Sequence, residues 1–286
     1  MTKQNDRVAV VTGSSRGAGK GIALALGSKG YTVYVTGRSR KEGDAPLPGT
    51  VFQTAEEITA AGGRGIAVAC DHGDDDQVEA LLAQVQREQG RLDLLVNNAT
   101  SINDDITKPG GFWTKDRRLA DIHDVGLRSA YIASYHAAPL LIAGGDGLIV
   151  NTSSFGAACY MHNPAYGAQK AGLDKMAWDM AVDLKPHNIA AASLWMGPLV
   201  TERTRRVWEQ NPEQYKDFMH VAETPFFIGV VIAALLEDPK RQEKSGHTLV
   251  AAELALEYGI TDEGRQPPSY REMLGAPLVF DPAIVA

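Results

Sequence analysis

The stretch TGSSRGAG at residues 12–19 decides the fold of this chain. The apolar run VAVV at residues 8–11 precedes it, as a buried parallel strand would, and IALAL at residues 22–26 follows at the spacing of a buried helix face. Gly13, Gly17 and Gly19 allow a tight turn and a close approach of the backbone to a bound group. The helix that follows presents free N–H groups and the positive end of its dipole. The stretch therefore predicts a phosphate-binding turn, and a glycine-rich loop without a ligand is the alternative.

Strand-like and helix-like segments alternate along the rest of the chain. Six further runs are short and apolar like strands, at residues 32–36, 65–70, 92–97, 147–151, 190–195 and 248–250. Helical patterns occupy residues 53–61, 75–89, 118–141, 164–184 and 225–236, and loops are expected at residues 38–50, 100–115 and 263–286. The alternation predicts a single α/β domain over residues 1–286, doubly wound and of Rossmann type, with a parallel sheet of about seven strands and helices on both faces. Ligands are expected beyond the carboxyl ends of the strands.

Composition narrows the class of protein. The chain has 286 residues, 44% of them hydrophobic, and a net charge of −7, which disfavours a nucleic-acid partner. No apolar stretch is long enough to span a bilayer, and residues 1–7 lack the apolar core of a secretory signal, so no membrane partner is expected. The only two cysteines, Cys70 and Cys159, are expected to be reduced thiols in a cytoplasmic protein.

A second stretch, YGAQK at residues 166–170, predicts acid–base chemistry. Residues four apart share a helix face, so Tyr166 and Lys170 point the same way. A free tyrosine titrates near pH ~10, and a nearby ammonium lowers its pKa. The phenol then becomes a usable general acid or base. Taken alone, such a pair is an ordinary feature of a helix surface.

The motifs together, in this order, resemble the short-chain dehydrogenase/reductase family over residues 7–250. They are the glycine turn, Asp71 after the third strand, Asn97-Asn98-Ala99 after the fourth, Ser154 after the fifth, Tyr166 with Lys170, and Met196-Gly197 through Thr201 after the sixth. Within that family the chain is similar to the human dehydrogenase/reductase member one group, through residues 124–128, 147–150 and 193–195.

The resemblance implies an oxidoreductase that transfers hydride between a nicotinamide cofactor and a small carbonyl or secondary alcohol substrate. Ser154 would hold the substrate oxygen (with Ser153 the competing serine), Tyr166 would give or take the proton, and Lys170 would tune it and bind the ribose. The implied cofactor-binding set is Gly13, Ser15, Arg16, Gly17, Gly19, Arg38, Asp71, Asn98, Tyr166, Lys170, Gly197, Leu199 and Thr201. No metal is implied, and a homotetramer or homodimer is expected.

The end of the second strand bears on the choice of cofactor. An acid there would bind the ribose 2′-hydroxyl of NAD, but the chain has Thr36-Gly37-Arg38. Arg38 can pair with a 2′-phosphate, and Arg16 lies in the turn nearby. NADP(H) is therefore predicted over NAD(H), the alternative being two solvated surface arginines. Asp71 is expected at the adenine, with a helix cap as its alternative.

Three residues depart from the family pattern. Gly126 stands where an asparagine usually helps hold a water that links the lysine to solvent, Met196 replaces a proline, and Thr100 replaces a glycine. We expect Gly126 to bend the helix and a backbone carbonyl to hold that water instead, the alternative being that Gly126 only allows close helix packing in a weak or inactive catalyst. The alternative functions are a non-catalytic dinucleotide-binding redox sensor and a sugar-nucleotide epimerase or dehydratase. An apolar substrate pocket is expected from Trp113, Phe155, Met161, Trp208 and Phe218, with core packing as the alternative for each of them.

Overall fold

The seven predicted strands form one parallel sheet in the computed structural model, which describes residues 6–285. The strands are β1 (Val8–Val11), β2 (Thr32–Gly37), β3 (Arg64–Ala69), β4 (Leu94–Asn97), β5 (Leu148–Ser153), β6 (Ala190–Trp195) and β7 (Thr248–Val250). Their order is β3-β2-β1-β4-β5-β6-β7, and every neighbouring pair is parallel. The predicted doubly wound fold is confirmed.

Helices cover both faces of this sheet. They are α1 (Gly17–Ser28), α2 (Val51–Ala60), α3 (Asp75–Gln89), α4 (Asp121–His123), α5 (Ser129–Gly144), α6 (Pro164–Leu184), α7 (Glu202–Gln210), α8 (Pro212–Met219), α9 (Pro225–Glu237), α10 (Arg241–Lys244), α11 (Ala251–Tyr258) and α12 (Arg271–Leu274). Two buried clusters form the core, one with α1, α2 and α9 and the other with α3, α5 and α6. On β1, Ala9 and Val11 enter the first cluster while Val8 and Val10 enter the second, because successive side chains of a strand point to opposite faces.

The predicted long helix at residues 118–141 is wrong. The structure has a 3₁₀ turn (Arg117–Ala120), α4, a π-type turn (Asp124–Arg128) and then α5. The break lies at Val125, with φ −103° and ψ 91°, and at Gly126, with φ 146°. Apolar periodicity runs through this segment, but a backbone with positive φ cannot continue a helix.

Other differences lie toward the C-terminus. The sequence did not predict α7, α8, α10 or α11, and α12 forms one turn inside the segment at residues 263–286 that was expected to be a loop. The expected domain over residues 1–286 and the N-terminal segment at residues 1–7 extend beyond the described residues at positions 1–5 and 286. Across residues 6–285, no helix combines the length and apolar character that a membrane crossing needs.

The strand order positions the functional site. The chain crosses from β1 outward to β2 and β3 and then returns to β4 on the other side of β1. Crossovers that leave in opposite directions open a crevice at the carboxyl ends of β1 and β4, where ligands of such folds bind. Below this crevice α1 and α9 pack unusually close, because a Cβ at Gly21 would lie 2.2 Å from the Pro225 Cβ and one at Gly229 would lie 2.7 Å from the Ile22 Cα.

Candidate active site

Two segments that the sequence identified meet at the crevice between β1 and β4. The Asn98 amide, directly after β4, donates to the carbonyl oxygens of Thr12 and Gly13 at 2.9 and 3.1 Å. The Thr12 hydroxyl accepts from the N–H groups of Asn98 and Ala99 at 2.8 and 2.9 Å. These four bonds join the glycine turn and the end of β4 into one wall of the crevice.

The glycines of the turn serve two different purposes. Gly13 and Gly17 have φ of 66° and 58°, in the left-handed region. A Cβ at Gly13 would lie 2.8 Å from the Ala99 Cα, and one at Gly19 would lie 2.4 Å from the Gly13 carbonyl oxygen. At Gly17 the nearest atom would be the Thr201 Cγ2, at 3.8 Å. Packing within the protein therefore requires Gly13 and Gly19, whereas Gly17 leaves the start of α1 open.

An anion already sits at the start of α1. The Gly17 N–H donates to Glu202 Oε2 at 3.0 Å, from the first residue of α7. In the described structure the N-cap residue Arg16 makes no side-chain capping bond, and the first turn of α1 has no acidic side chain. Ser15 is buried just before it. Because Glu202 supplies the negative oxygen that the helix dipole favours, the turn fits the phosphate of a dinucleotide.

Arg16 binds the loop at residues 38–50. Its Nε donates to the Pro48 carbonyl at 3.0 Å, and its Nη2 donates to Ser39 Oγ at 2.7 Å and to the Gly49 carbonyl at 2.6 Å. The guanidinium therefore holds this loop against the glycine turn. It is not a solvated surface charge, and its Nε and Nη2 donors are already in use and not freely available to a phosphate.

Arg38 lies at the end of β2 with 75% of its side chain exposed. Its only ion-pair partner in the described structure is Asp71, at 3.8 Å. Asp71 is not the cap of α3, because Asp74 accepts the N–H bonds at that helix start. Asp71 instead accepts from the Gly73 N–H at 3.0 Å. Arg38 and Asp71 thus border the crevice together, beyond β2 and β3.

The predicted trio comes together at the end of β5. Ser154 Oγ lies 2.8 Å from Tyr166 Oη. Lys170 is 6% exposed, its Nζ donates to the Thr152 carbonyl at 3.1 Å, and it lies 5.5 Å from the centroid of the Tyr166 ring. Ser153 instead donates to the Lys170 carbonyl at 3.2 Å. The structure places Ser154, and not Ser153, against the phenol.

The start of α6 orients this trio. Asn163 Oδ1 accepts from the Tyr166 N–H at 3.0 Å, and Pro164 occupies the first helical position, where its missing N–H costs nothing. One turn beyond Lys170, Asp174 accepts from Ser193 Oγ at 2.5 Å and from the Trp195 indole N–H at 2.8 Å. This buried carboxylate fixes α6 to β6.

Burial dominates the ionisation of the two central groups. It raises the pKa of Tyr166, against the effect of the hydrogen bond with Ser154. It lowers the pKa of Lys170 to about 8, against the attraction of Asp174. The expected lowering of the Tyr166 pKa by Lys170 is not found, because the ammonium lies over the ring and donates to the Thr152 carbonyl rather than to the phenol oxygen.

The break at Gly126 is packed against α6. A Cβ at Gly126 would lie 2.6 Å from Gln169 Nε2 and 3.1 Å from Thr100 Oγ1. We expected a backbone carbonyl near Gly126 to hold the water, but the carbonyl of the preceding Val125 accepts from the Ser101 N–H at 2.7 Å. In the described part of the chain, Gln169 Oε1 and Thr100 Oγ1 are buried without a hydrogen-bond partner. Buried waters bind to polar atoms that lack other partners, so these two side chains, and not the Val125 carbonyl, are suited to hold a water.

The loop after β6 carries the last three predicted cofactor residues, Gly197, Leu199 and Thr201. The Gly197 N–H donates to Glu223 Oε2 at 3.0 Å, and Leu199 forms a parallel bridge with Glu223. Thr201 caps α7 together with Thr204. All three therefore lie on a loop held by the segment just before α9.

The residues expected to line the substrate pocket separate in the structure. Phe155 is buried against Trp195, with ring centroids 4.9 Å apart, and Trp208 is buried as well, so both pack in the interior. Trp113 is 77% exposed. Phe218 lines a cavity of about 760 Å³ between α8 and the C-terminal segment, opposite Tyr270.

Sequence reasoning missed Glu202, Glu223 and Asp174. Their contacts span 185, 26 and up to 21 residues, so no local motif announces them. An acid such as Glu223 beside the apolar start of α9 is the only local signal. Among residues 6–285, no cluster of three or more histidines, cysteines or acids could hold a metal, and Cys70 and Cys159 are free thiols.

Comparisons with known proteins agree with this architecture. A family model described as short chain dehydrogenase matches residues 7–212. Human dehydrogenase/reductase SDR family member 1 is 40% identical over 281 residues, covering 93% of this chain and 86% of the relative. The 3-oxoacyl-[acyl-carrier-protein] reductase of Staphylococcus aureus is 31% identical over 217 residues, covering 75% of this chain and 81% of the relative.

A solved structure agrees as well. A crystal structure assigned to a short-chain alcohol dehydrogenase from Sinorhizobium meliloti superposes with a TM-score of 0.72 at 27% identity, covering 88% of this chain and 97% of that chain.

Proposed function

The chain belongs to the short-chain dehydrogenase family of oxidoreductases, and from that premise we propose that it interconverts a carbonyl and a secondary alcohol with NADP(H). This proposal rests mainly on the 2.8 Å contact between Ser154 Oγ and Tyr166 Oη, beside the buried Lys170. Two hydroxyl groups at this separation can both reach one substrate oxygen.

The trio divides the work of proton transfer. Ser154 donates to the substrate oxygen and orients it, and Tyr166 gives it a proton in reduction or removes one in oxidation. The bound cofactor supplies or accepts the hydride. Lys170 lies 5.5 Å from the centroid of the Tyr166 ring with its Nζ bonded to the Thr152 carbonyl, and its proposed part is to place positive charge beside the ring and to bind the ribose.

The proposed cofactor-binding residues follow the crevice from end to end. Gly17 and Ser15, which lie between Gly13 and Gly19, would hold the pyrophosphate, Asn98 would line the crevice, and Asp71 would hold the adenine. Gly197, Leu199 and Thr201 would hold the nicotinamide end, and Lys170 would bind its ribose. The start of α1 supports this arrangement, because its first N–H already binds a carboxylate oxygen.

The preference for NADP(H) rests on the exposed Arg38. It follows β2, where an acid would bind the 2′-hydroxyl of NAD, and its guanidinium pairs with Asp71 only at 3.8 Å. A 2′-phosphate would compete well for it. Arg16 supports the site from behind by holding the loop at residues 38–50. We expect NADP(H) to bind at least about tenfold more tightly than NAD(H), which corresponds to about 1.4 kcal/mol.

The assembly proposed for this chain is a homodimer or homotetramer in the cytoplasm. Tyr131, Tyr135 and Ile142 are exposed along α5, where a second copy could cover them. The two free thiols support a reducing compartment. Light scattering at micromolar concentration tests the assembly, and a monomer would contradict it.

The activity itself is tested by NADPH oxidation with a panel of ketones and aldehydes. Wild-type protein and Tyr160→Phe, altered at a position that is 78% exposed, should turn over, whereas Tyr166→Phe should bind NADPH without turnover. Binding without turnover in the wild type would favour the redox-sensor alternative, to which the break at Gly126 lends some weight. Activity that survives in Tyr166→Phe would overturn the catalytic assignment.

A further inference from the structure

The loop at residues 196–201 depends on a single residue of the neighbouring segment. The Glu223 N–H donates to the Pro198 carbonyl at 2.7 Å, and the Glu223 carbonyl accepts from the Val200 N–H at 2.9 Å. The Glu223 carboxyl accepts from the Gly197 N–H at 3.0 Å. Backbone and side chain of one residue thus hold three successive parts of the loop.

The side chain of Glu223 is enclosed. It is 1% exposed, and its Oε1 is buried without a hydrogen-bond partner in the described structure. A Cβ at Gly197 would lie 2.9 Å from that Oε1, so the carboxyl packs directly against the backbone of the loop. Asp262, Arg265 and Tyr270 are the ionisable groups that interact with it from the C-terminal segment.

Glu223 is itself firmly held from behind. The Thr224 N–H and hydroxyl donate to the two carboxyl oxygens of Asp262 at 2.7 and 2.6 Å, and Arg265 donates to the Ala222 carbonyl at 2.7 Å. The residues on both sides of Glu223 are therefore fixed, and its carboxyl presents a rigid acceptor to Gly197. Burial raises its pKa to about 8, so near pH ~7 the neutral acid predominates and an amide can replace it.

We propose that Glu223 is a positioning residue that sets the loop at residues 196–201 for the nicotinamide half of the cofactor without touching the cofactor. The inference rests on the proposed function, because that function assigns Gly197, Leu199 and Thr201 to this half. The proposed adenine site lies beside Arg38 and Asp71, after β2 and β3, whereas this loop follows β6, on the opposite side of β1 in the sheet order. Loss of the Glu223 side chain should therefore weaken one half of the site alone.

Two nucleotides separate the halves. NADPH carries the nicotinamide, and 2′,5′-ADP carries the adenine and the 2′-phosphate without it. Both are titrated by calorimetry against wild type, Glu223→Ala, Glu223→Gln and the control Glu209→Ala, which alters an exposed acid of α7. We expect Glu223→Ala to weaken NADPH about tenfold and 2′,5′-ADP less than about twofold. Glu223→Gln should stay within about threefold of wild type for both, because its amide oxygen still accepts from Gly197.

The outcomes are distinguishable. Equal weakening of both nucleotides in Glu223→Ala, or no weakening of NADPH, would overturn the positioning role. If Glu223→Ala does not fold, Glu223→Asp takes its place, since it keeps the acid and withdraws it from Gly197 by one methylene. If wild-type protein binds neither NADPH nor NADH, the proposed function fails, and the inference fails with it.

Discussion

Glu202→Gln should make this protein bind NADPH more tightly. The Glu202 carboxylate accepts from the Gly17 N–H at 3.0 Å, at the position where the proposed pyrophosphate would accept the same bond. Glu202 must therefore leave when the cofactor enters, and its negative charge adds to the cost. Glutamine keeps the size of the side chain and the acceptor oxygen but removes the charge.

The magnitude follows from the bond that is exchanged. A hydrogen bond to a charged group contributes about 1.5–3 kcal/mol and a neutral one about 0.5–1.5 kcal/mol. Since Glu202 is partly exposed, we take the low end of the difference, about 1 kcal/mol, which is about fivefold in the dissociation constant. Repulsion between carboxylate and phosphates would add to this, and salt would screen that part.

The assay is a calorimetric titration of NADPH at two salt concentrations. Glu209→Gln is the matched control, because it removes the same charge from an exposed position on the same helix. Glu202→Gln should bind about fivefold more tightly than both wild type and the control, with a smaller difference at high salt. Unchanged or weaker binding, or an equal gain in Glu209→Gln, would refute the competition between Glu202 and phosphate.

Four further outcomes are expected. Tyr166→Phe should lower carbonyl reduction at least about a hundredfold with NADPH binding retained; a smaller loss speaks against general acid–base catalysis by this phenol. Arg38→Ala should weaken NADPH about tenfold and leave NADH unchanged, and parallel loss of both would place the 2′-phosphate elsewhere. Asp174→Ala leaves the buried Ser193 hydroxyl and Trp195 indole N–H without an acceptor, so the free energy of unfolding in urea should fall by about 3 kcal/mol. A fall of less than about 1 kcal/mol would contradict this structural role of Asp174. Burial raises the pKa of Glu223 from 4.5 to about 8, so the folded protein keeps this proton at pH values at which the unfolded chain has lost it. The stability that this proton contributes is lost as pH rises from 4.5 to about 8, so Glu223→Gln should become more stable relative to wild type over that range. A difference in urea midpoint that stays constant with pH would exclude this titration.

Elements with strong local signals were predictable. The sheet residues of β1, β6 and β7 and the helix residues of α3 and α6 lie where the patterns placed them. For α6, Pro164 at the first helical position, together with the apolar face, marks the start unambiguously. Ser154, Tyr166 and Lys170 converge because a strand end and one helix face suffice to bring them together.

Features that depend on tertiary contact were not predictable from such patterns. The helix across residues 118–141 has continuous apolar spacing, yet the chain turns at Gly126 where Gln169 and Thr100 pack against it. The orientation of Lys170 depends on a carbonyl of β5, which no spacing encodes. Glu202 and Glu223 bind partners that lie 185 and 26 residues away along the chain, and the sequence did not predict α7 at all.

The close packing of α1 and α9 sets the distance between the two ends of the crevice. α1 starts at the glycine turn, and α9 starts two residues after Glu223, so each helix carries one end of the proposed dinucleotide site. The two helices approach so closely that a Cβ at Gly21 would lie 2.2 Å from the Pro225 Cβ and one at Gly229 would lie 2.6 Å from the Ala25 Cβ. One closely packed helix pair, rather than two loops, therefore fixes the distance between the proposed phosphate-binding and nicotinamide-binding ends of the site. A single methyl group at Gly21 would collide with Pro225, the first residue of α9, and would therefore force the starts of the two helices apart.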